Sequence, residues 1–182
     1  TFDKTECVAC DRNTFLADAD QREADKHDSA GDCIPCDSGT FSDPGVRFCG
    51  ICAAGKSTVT NTSSNRTVCR GCDEGRFQAS AGQKACDACP EGYYQQESGF
   101  AYCLPCLPGR YQNVSGRTEC VRCAAGRLQK RAGNTTCIAC EAGKYQLESG
   151  NPFCLPCIPG RANNRTGQTA CLPCGVNTYA PT

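Results

Sequence analysis

The residues of this sequence with the clearest chemical potential are its cysteines. All 20 of them occur in CxxC pairs, which begin at Cys7, Cys33, Cys49, Cys69, Cys86, Cys103, Cys120, Cys137, Cys154 and Cys171. Two cysteines in this spacing are typical of a redox-active dithiol, of half a zinc site, or of two disulfides that each reach another part of the chain. These three chemistries need different surroundings, so the sequence between the pairs helps to choose among them.

From Cys69 onward, the pairs are evenly spaced, and the repeat reads C-x-x-C-x-x-G-x-[aromatic]-Q-x-x-x-G-x-x-x, as in CDACPEGYYQQESGFAY (86–102). A redox dithiol needs a helix start that lowers the pKa of one thiol, and loops rich in glycine and proline provide none. Zinc is an alternative, because the pairs approach zinc-ribbon spacing. The even period and the glycosylation signals favour structural disulfides.

A hairpin argument predicts how the cysteines pair. In the regular repeats, the second cysteine of one pair and the first cysteine of the next enclose a loop of constant length, as Cys89 and Cys103 do. A hairpin centred between them brings its two ends together, and each closed loop contributes about 3 kcal/mol by the chain-entropy estimate. The predicted disulfides are Cys10–Cys33, Cys36–Cys49, Cys52–Cys69, Cys72–Cys86, Cys89–Cys103, Cys106–Cys120, Cys123–Cys137, Cys140–Cys154 and Cys157–Cys171.

This pairing leaves Cys7 and Cys174 without partners, and we expect both to pair outside the fragment. In a rival scheme, two disulfides join each two adjacent CxxC pairs. They connect the first of these four cysteines to the third and the second to the fourth, and the scheme uses all twenty cysteines. A Cys89–Cys106 link in peptide maps of the unreduced protein would select the rival scheme.

Each repeat also carries two glycine positions and one aromatic position. The first glycine position holds glycine in eight repeats and asparagine at Asn13 and Asn177. Both residue types tolerate positive φ, so this position predicts a left-handed turn. The aromatic two residues later is expected to lie against a disulfide or the next repeat, and the second glycine fits a hairpin tip or return. Neighbouring repeats are expected to touch mainly at their CxxC junctions.

The pattern CxxCPxGxYxxxxGxxxCxxCPxG resembles the cysteine-rich repeat of ephrin-receptor type. Residues 86–109 (CDACPEGYYQQESGFAYCLPCLPG) match it nearly throughout, and weaker copies cover residues 69–179. Residues 89–103 are also similar to the first half-module of tumour-necrosis-factor-receptor cysteine-rich domains. Those modules carry a local disulfide over comparable spacing, but their second pair of crossed bridges has no counterpart here. Repeats of this type serve as spacers, binding surfaces and fibre subunits alike.

Composition indicates an exported protein. Cysteine accounts for about one residue in nine, which is typical of a disulfide scaffold, and large apolar residues are too sparse for an ordinary core. So many disulfides persist only in an oxidising compartment, so we expect an extracellular or cell-surface location. The 19 basic and 19 acidic residues balance without a basic block, so nucleic acid is not a favoured partner. No apolar run approaches membrane-helix length, so this segment is not expected to insert into a membrane.

A polar insert at residues 16–32 breaks the period and contains six acidic residues and His27, the only histidine. The carboxylates of Asp18, Asp20 and Glu23 lack the spacing of a calcium loop, so a solvated surface loop is favoured over a metal site. One histidine alone forms no catalytic constellation. Because no nucleophile, paired carboxylates or phosphate loop occur, we expect neither enzyme activity nor a cofactor.

Five sequons mark candidate N-glycosylation sites. They lie at Asn61, Asn65, Asn113, Asn134 and Asn164, and the first two fall in the Ser- and Thr-rich stretch 53–68. In an exported chain, five sequons predict that some are occupied. Asn113 and Asn164 hold the same position in two repeats that are three repeats apart, so their glycans would project from equivalent faces.

The sequence thus predicts a small disulfide-rich fold, an elongated tandem array of ~17-residue hairpin units with little regular secondary structure. Its predicted divisions are an irregular first unit with the acidic insert (1–32), two irregular units with the Ser/Thr-rich insert (33–68), six regular repeats (69–173) and the start of a further, truncated unit (174–182).

The functional hypothesis is a structural segment of a large extracellular glycoprotein, in a stalk, surface coat or filament such as a flagellar hair. Its expected partners are copies of itself, other extracellular matrix or surface proteins, and covalent glycans. The alternative is a cell-surface receptor ectodomain, which would need one localised cluster of exposed aromatic or arginine residues for its protein ligand. The recurrence of arginine at one repeat position favours regular stacking instead; these residues are Arg76, Arg110, Arg127 and Arg161.

Overall fold

The computed structural model describes residues 8–16, 30–61, 63 and 66–179. In this part of the chain, regular structure consists of a single 3-10 turn, Ala30–Asp32, and short β-strands. The strands are β1 (Thr14–Leu16), β2 (Cys33–Pro35), β3 (Thr40–Phe41), β4 (Gly50–Ile51), β5 (Lys56–Asn61), β6 (Arg66–Gly71), β7 (Arg76–Phe77), β8 (Asp87–Ala88), β9 (Tyr93–Tyr94), β10 (Leu104–Pro105), β11 (Arg110–Tyr111), β12 (Val121–Arg122), β13 (Arg127–Leu128), β14 (Ile138–Ala139), β15 (Lys144–Tyr145), β16 (Leu155–Pro156), β17 (Arg161–Ala162) and β18 (Leu172–Pro173). Among these residues, no helix has the length and apolar character needed to cross a membrane.

Consecutive strands pair with each other, β1 with β2 through β17 with β18, to form two-stranded sheets. The pairing is antiparallel in every ladder whose register is described. The predicted small disulfide-rich fold of tandem hairpins with little regular secondary structure is therefore confirmed. Most ladders contain only two residues per strand, which is too short for independent stability, so other interactions must hold each hairpin closed.

The chain divides into two compact bodies. The first comprises Thr1–Asp73, Phe77–Asp87 and Ser98–Tyr102, and the second comprises Glu74–Arg76, Ala88–Glu97 and Cys103–Thr182. The first body holds the one long ladder among the described residues, in which β5 and β6 pair over six positions from Lys56↔Gly71 to Asn61↔Arg66. The Thr60 and Thr67 hydroxyl oxygens lie 2.8 Å apart across this ladder. The alternating Thr and Val residues of both strands favour such a ladder.

The second body repeats one short hairpin. Its ladders, from β9–β10 to β17–β18, contain two residues per strand and follow a turn at the first glycine position. That position has positive φ throughout the described chain, from 74° to 87° at the glycines and at 62° and 60° for Asn13 and Asn177. The predicted left-handed turn is confirmed.

The buried side chains are mainly cysteines and glutamines, and none of them is aromatic in the described chain. All buried hydrophobic residues of the described chain are cysteines, and the larger buried polar side chains are Gln78, Gln95, Gln112, Gln129 and Gln146. The repeated aromatics are half-buried, and the last of them, Tyr179, is 86% exposed. A repeat this short has too little volume to enclose a ring, so cystine and glutamine form its interior.

Candidate functional site

The cysteines form nine disulfides with Cα–Cα distances of 5.4–5.8 Å. They are the nine pairs that the hairpin argument connects. The two cysteines of one CxxC motif belong to different disulfides, as where Cys103 joins Cys89 and Cys106 joins Cys120. Each motif therefore links two successive closed hairpins, and we name each hairpin by its two cysteines.

Two cysteines stand outside this pattern. Cys7 lies outside the described residues, and Cys174 carries a free, half-buried thiol in the described chain. Their pairing outside the fragment stays a prediction. Asp18, Asp20, Glu23 and His27 also lie outside the described residues, and within those residues no group of three or more metal-ligating side chains occurs.

A buried glutamine lies inside each regular hairpin except the 157–171 hairpin, which has Asn163 at that position. In the 106–120 hairpin, the Gln112 side-chain amide donates to the carbonyl oxygen of Glu119 at 2.8 Å. Its Oε1 accepts from the backbone N–H of Val114 at 3.1 Å. We call this pair of hydrogen bonds, to the carbonyl seven residues on and from the N–H two residues on, the glutamine clamp. It recurs at Gln78, Gln129 and Gln146.

The repeat formula contains this glutamine, but the sequence alone does not reveal its role. Its recurrence at one position was the available signal, since a solvent-exposed glutamine has no reason to keep a fixed position. Where the glutamine is absent, the side chain at its position bonds to the preceding hairpin. Asn163 donates to the Lys144 carbonyl at 3.0 Å, and Ser42 donates to the Thr14 carbonyl at 2.7 Å.

Backbone hydrogen bonds join each hairpin to the next. The first glycine donates its N–H to the glutamine carbonyl of the following hairpin, as from Gly109 to Gln129 at 2.7 Å. The second glycine donates to a cysteine carbonyl of the preceding hairpin, as from Gly133 to Cys106 at 2.9 Å. These bonds recur along the described second body, so adjacent hairpins form one hydrogen-bonded series.

Close glycine contacts reach one hairpin further. A Cβ added to Gly109 would clash with the carbonyl oxygen of Gly150, two hairpins on. The same relation holds for Gly39 and Gly82, Gly55 and Gly99, Gly75 and Gly116, Gly92 and Gly133, and Gly126 and Gly167. The expectation that repeats touch mainly at CxxC junctions is therefore wrong, because backbone contacts extend to the next hairpin and to the one after it.

The recurrent arginine forms a hydrogen bond within its own hairpin. Nη1 of Arg110, Arg127 and Arg161 donates to the carbonyl of the cysteine ten residues on, at 3.3, 3.1 and 3.1 Å. Because each bond stays within one hairpin, the interpretation that arginine at this position serves regular stacking stays a prediction.

Lys144 and Glu141 form an ion pair at the surface. A hydrogen bond from Lys144 Nζ to Glu141 Oε2 at 2.8 Å, together with the positive charge of that lysine, lowers the pKa of the Glu141 carboxyl. Both side chains are largely exposed, so this ion pair adds little stability.

The sequon asparagines differ in accessibility. Asn61, Asn113 and Asn164 are exposed. Asn134 is half-buried, and its Nδ2, the atom that would carry a glycan, donates to the carbonyls of Arg131 at 3.1 Å and Ala132 at 3.4 Å. Asn65 lies outside the described residues. Glycosylation at all five stays a prediction.

Each body has an open concavity among its described residues. The first body holds one of about 380 Å³, lined by polar residues that include Asp37, Thr58 and Lys84. The second body holds one of about 450 Å³, whose wall includes Tyr111, Arg122 and Arg127. Neither is enclosed by apolar side chains as small-molecule pockets usually are.

Comparison with known proteins gives one family. The tyrosine-protein kinase ephrin type A/B receptor-like family matches at residues 61–100, 92–135 and 129–169, which together span more than half of the chain. No curated protein sequence matches the chain. The repeats and their disulfides fit an extracellular domain. By these three tandem matches and its series of cystine-closed hairpins, the chain belongs to the ephrin type A/B receptor-like family of cysteine-rich repeats.

Proposed function

We propose that this chain is a non-catalytic structural segment of a large extracellular glycoprotein, part of a stalk, surface coat or filament. One observation carries the proposal: the same inter-hairpin bond recurs at one length four times in succession in the second body. The glycine N–H to glutamine carbonyl distance is 2.7 Å for Gly75–Gln95, Gly92–Gln112, Gly109–Gln129 and Gly126–Gln146. Because each hairpin completes the hydrogen bonding of its neighbour, the arrangement favours tandem extension over enclosure of a ligand.

The covalent topology also suits a segment that resists stretching. Each disulfide of the regular repeats joins cysteines 14 residues apart, and only the CxxC residues connect one closed hairpin to the next. A pulling force therefore passes across the disulfides and bypasses the hairpins. Reduction of one disulfide would release about 45 Å of chain at roughly 3.4 Å per residue.

Single-molecule pulling on the secreted full-length protein tests this role. The oxidised protein should show no hairpin-sized steps at residues 72–171, whereas the reduced protein should lengthen by about 45 Å per opened hairpin. Hairpin-sized steps in the oxidised protein would contradict the proposal. A full-length protein that stays a compact monomer with a bound soluble protein would favour the receptor alternative.

Exposed apolar side chains support lateral partners of matching period, such as copies of this chain. Each regular CxxC pair of the second body from Cys103 onward places a large apolar residue after its first cysteine. These residues are Leu104, Val121, Ile138, Leu155 and Leu172, and they are 37–71% exposed. A receptor epitope would gather such residues at one place, whereas a periodic partner would meet them all. Leu155→Asp should weaken self-association measured by sedimentation, and unchanged association would exclude this surface.

We include covalent glycans in the proposed role. The exposed Asn113 and Asn164 hold equivalent repeat positions, so glycans there would recur along the array. Glycopeptide mass spectrometry of the secreted protein should find both occupied, and their absence would remove the glycoprotein part of the proposal.

A further inference from the structure

Cationic side chains are concentrated in one stretch of the second body. Residues 110–131 contain six of them and one carboxylate, whereas the whole chain has no net charge. They are Arg110, Arg117, Arg122, Arg127, Lys130 and Arg131, of which all but the half-buried Arg110 are exposed. The ion pairs of the described residues are Arg70–Asp73 and Lys144–Glu141. Within those residues, no carboxylate forms an ion pair with any of the six cations.

Two of these arginines oppose each other across a ladder. Arg110 of β11 lies opposite Arg122 of β12. In the other seven ladders with a described register, the equivalent partner is uncharged; it is Pro35, Ile51, Gly71, Pro105, Ala139, Pro156 or Pro173. Directly opposed side chains share one face, and like charges there are destabilising. A bound anion would remove that cost, so this exception indicates an anionic ligand.

Arg122 also shares a concavity with a third arginine. Arg122 and Arg127 line the opening of about 450 Å³ together with Tyr111, Asn113 and Thr136, and no carboxylate lines it. Arg127 uses one N–H for the Cys137 carbonyl at 3.1 Å, which leaves four of its five donors for a ligand.

The backbone also helps to place Arg122. A Cβ built on Gly150 would lie 3.3 Å from Cδ of Arg122, so the stem of this arginine passes over a position without a side chain. We call Arg110, Arg122 and Arg127 the basic cluster.

We propose that the basic cluster binds a linear sulfated polysaccharide. Guanidinium groups bind sulfate oxygens in bidentate geometry, and the cluster spans two successive hairpins, as a chain of regularly spaced sulfates would require. The Thr136 hydroxyl can hydrogen-bond sugar hydroxyls, and the half-buried Tyr111 ring offers an apolar face. This inference goes beyond the structural role and needs only an extracellular location, where nucleic acid is not the prevailing polyanion.

Heparin binding by the secreted, disulfide-intact protein tests the proposal. The Kd is measured at about 0.15 M NaCl and over a salt series, with desulfated heparin as the comparison probe. The test variant is Arg122→Gln with Arg127→Gln. The control is Arg161→Gln with Arg165→Gln, which removes the same charge; Arg161 also shares the repeat position of Arg127 and its bond to a cysteine carbonyl.

The test variant should bind heparin about tenfold more weakly, since it loses charge-assisted hydrogen bonds, and the control should change less than about twofold. Desulfated heparin should bind neither the native protein nor the variants. If the double variant does not fold, Arg122→Gln alone serves as the test variant. Within the described chain, the Arg122 side chain forms no hydrogen bond that this substitution would remove. Equal melting temperatures of test and control confirm that folding is intact.

Four results would overturn the proposal. An equal loss in test and control would mean that overall charge alone attracts heparin, and no heparin binding by the native protein would remove the site. Poly-glutamate that binds as tightly as heparin, with the same loss in the test variant, would assign the surface to an acidic protein. Finally, Asn113→Gln should change the heparin Kd less than about twofold; a rise in affinity of about tenfold or more would mean that the glycan of Asn113 fills the concavity.

Discussion

The 52–69 hairpin and the 106–120 hairpin close the same kind of cystine loop in two different ways. The 52–69 hairpin uses the six-position ladder of β5 and β6, and Thr58 stands where the glutamine would be. The 106–120 hairpin has two ladder positions and the buried Gln112. We interpret the glutamine clamp of the 106–120 hairpin as a substitute for the ladder hydrogen bonds that it lacks.

Both hairpins have a glycine in close contact with the hairpin two further along the chain. Disrupting this contact should have the largest effect on stability. Ala at Gly55 or Gly109 would clash with the backbone carbonyl of Gly99 or Gly150. We expect either substitution to cost about 4 kcal/mol or to abolish secretion, because neither backbone can move aside. Denaturant unfolding of the secreted, unreduced protein measures this.

Gly99→Ala is the matched control for Gly109→Ala. Its φ of 83° is close to the 82° of Gly109, but an added Cβ there meets nothing within 4 Å. It should therefore show only the cost of a left-handed alanine, about 1–2 kcal/mol. Equal losses at Gly109 and Gly99 would mean that the contact between hairpins contributes nothing.

Removal of one disulfide should have the next largest effect and should separate the two hairpins. Cys106→Ser with Cys120→Ser, or Cys52→Ser with Cys69→Ser, should each cost about 3 kcal/mol in loop entropy. Amide hydrogen exchange should then differ, because β5 and β6 keep their six-position ladder whereas β11 and β12 keep two positions. Loss of protection in both hairpins to the same degree would show that the long ladder does not keep its hairpin folded without the disulfide.

Gln112→Ala should destabilise the protein by about 2 kcal/mol, because two hydrogen bonds of a buried side chain are lost. Thr58→Ala, at the equivalent position of the 52–69 hairpin, should cost less than about 1 kcal/mol. Unfolding free energies of the two single variants make the comparison. A larger loss at Thr58 would contradict the idea that the clamp substitutes for the ladder.

The exposed ion pair should have the smallest effect. Because the folded state lowers the pKa of Glu141, its contribution is present above the ordinary pKa of this carboxyl and is lost as the pH falls through the lowered value. The melting temperature of Glu141→Gln should therefore match the wild type at acid pH and fall only slightly below it at neutral pH. A large neutral-pH difference would mean that the pair holds the 140–154 hairpin closed.

Much of the fold could be predicted from the sequence because its constraints are local. The constant spacing of the cysteines defines each hairpin, and glycine or asparagine at one position defines its left-handed turn. The candidate site was less predictable. Gln112 looks like an ordinary surface residue until its 4% exposure and its partners are known. The opposition of Arg110 and Arg122 depends on ladder register, which spacing alone does not specify.

By itself, the sequence determined the period, the cystine-closed hairpin and the turn, since each involves residues within one loop. Only the tertiary structure decided that Gly109 meets Gly150, two hairpins further along, and that a glutamine fills the interior. The physical reason is distance along the chain. The spacing of cysteines within one loop determines which hairpins can close. Contacts between hairpins depend instead on how successive closed hairpins pack against each other.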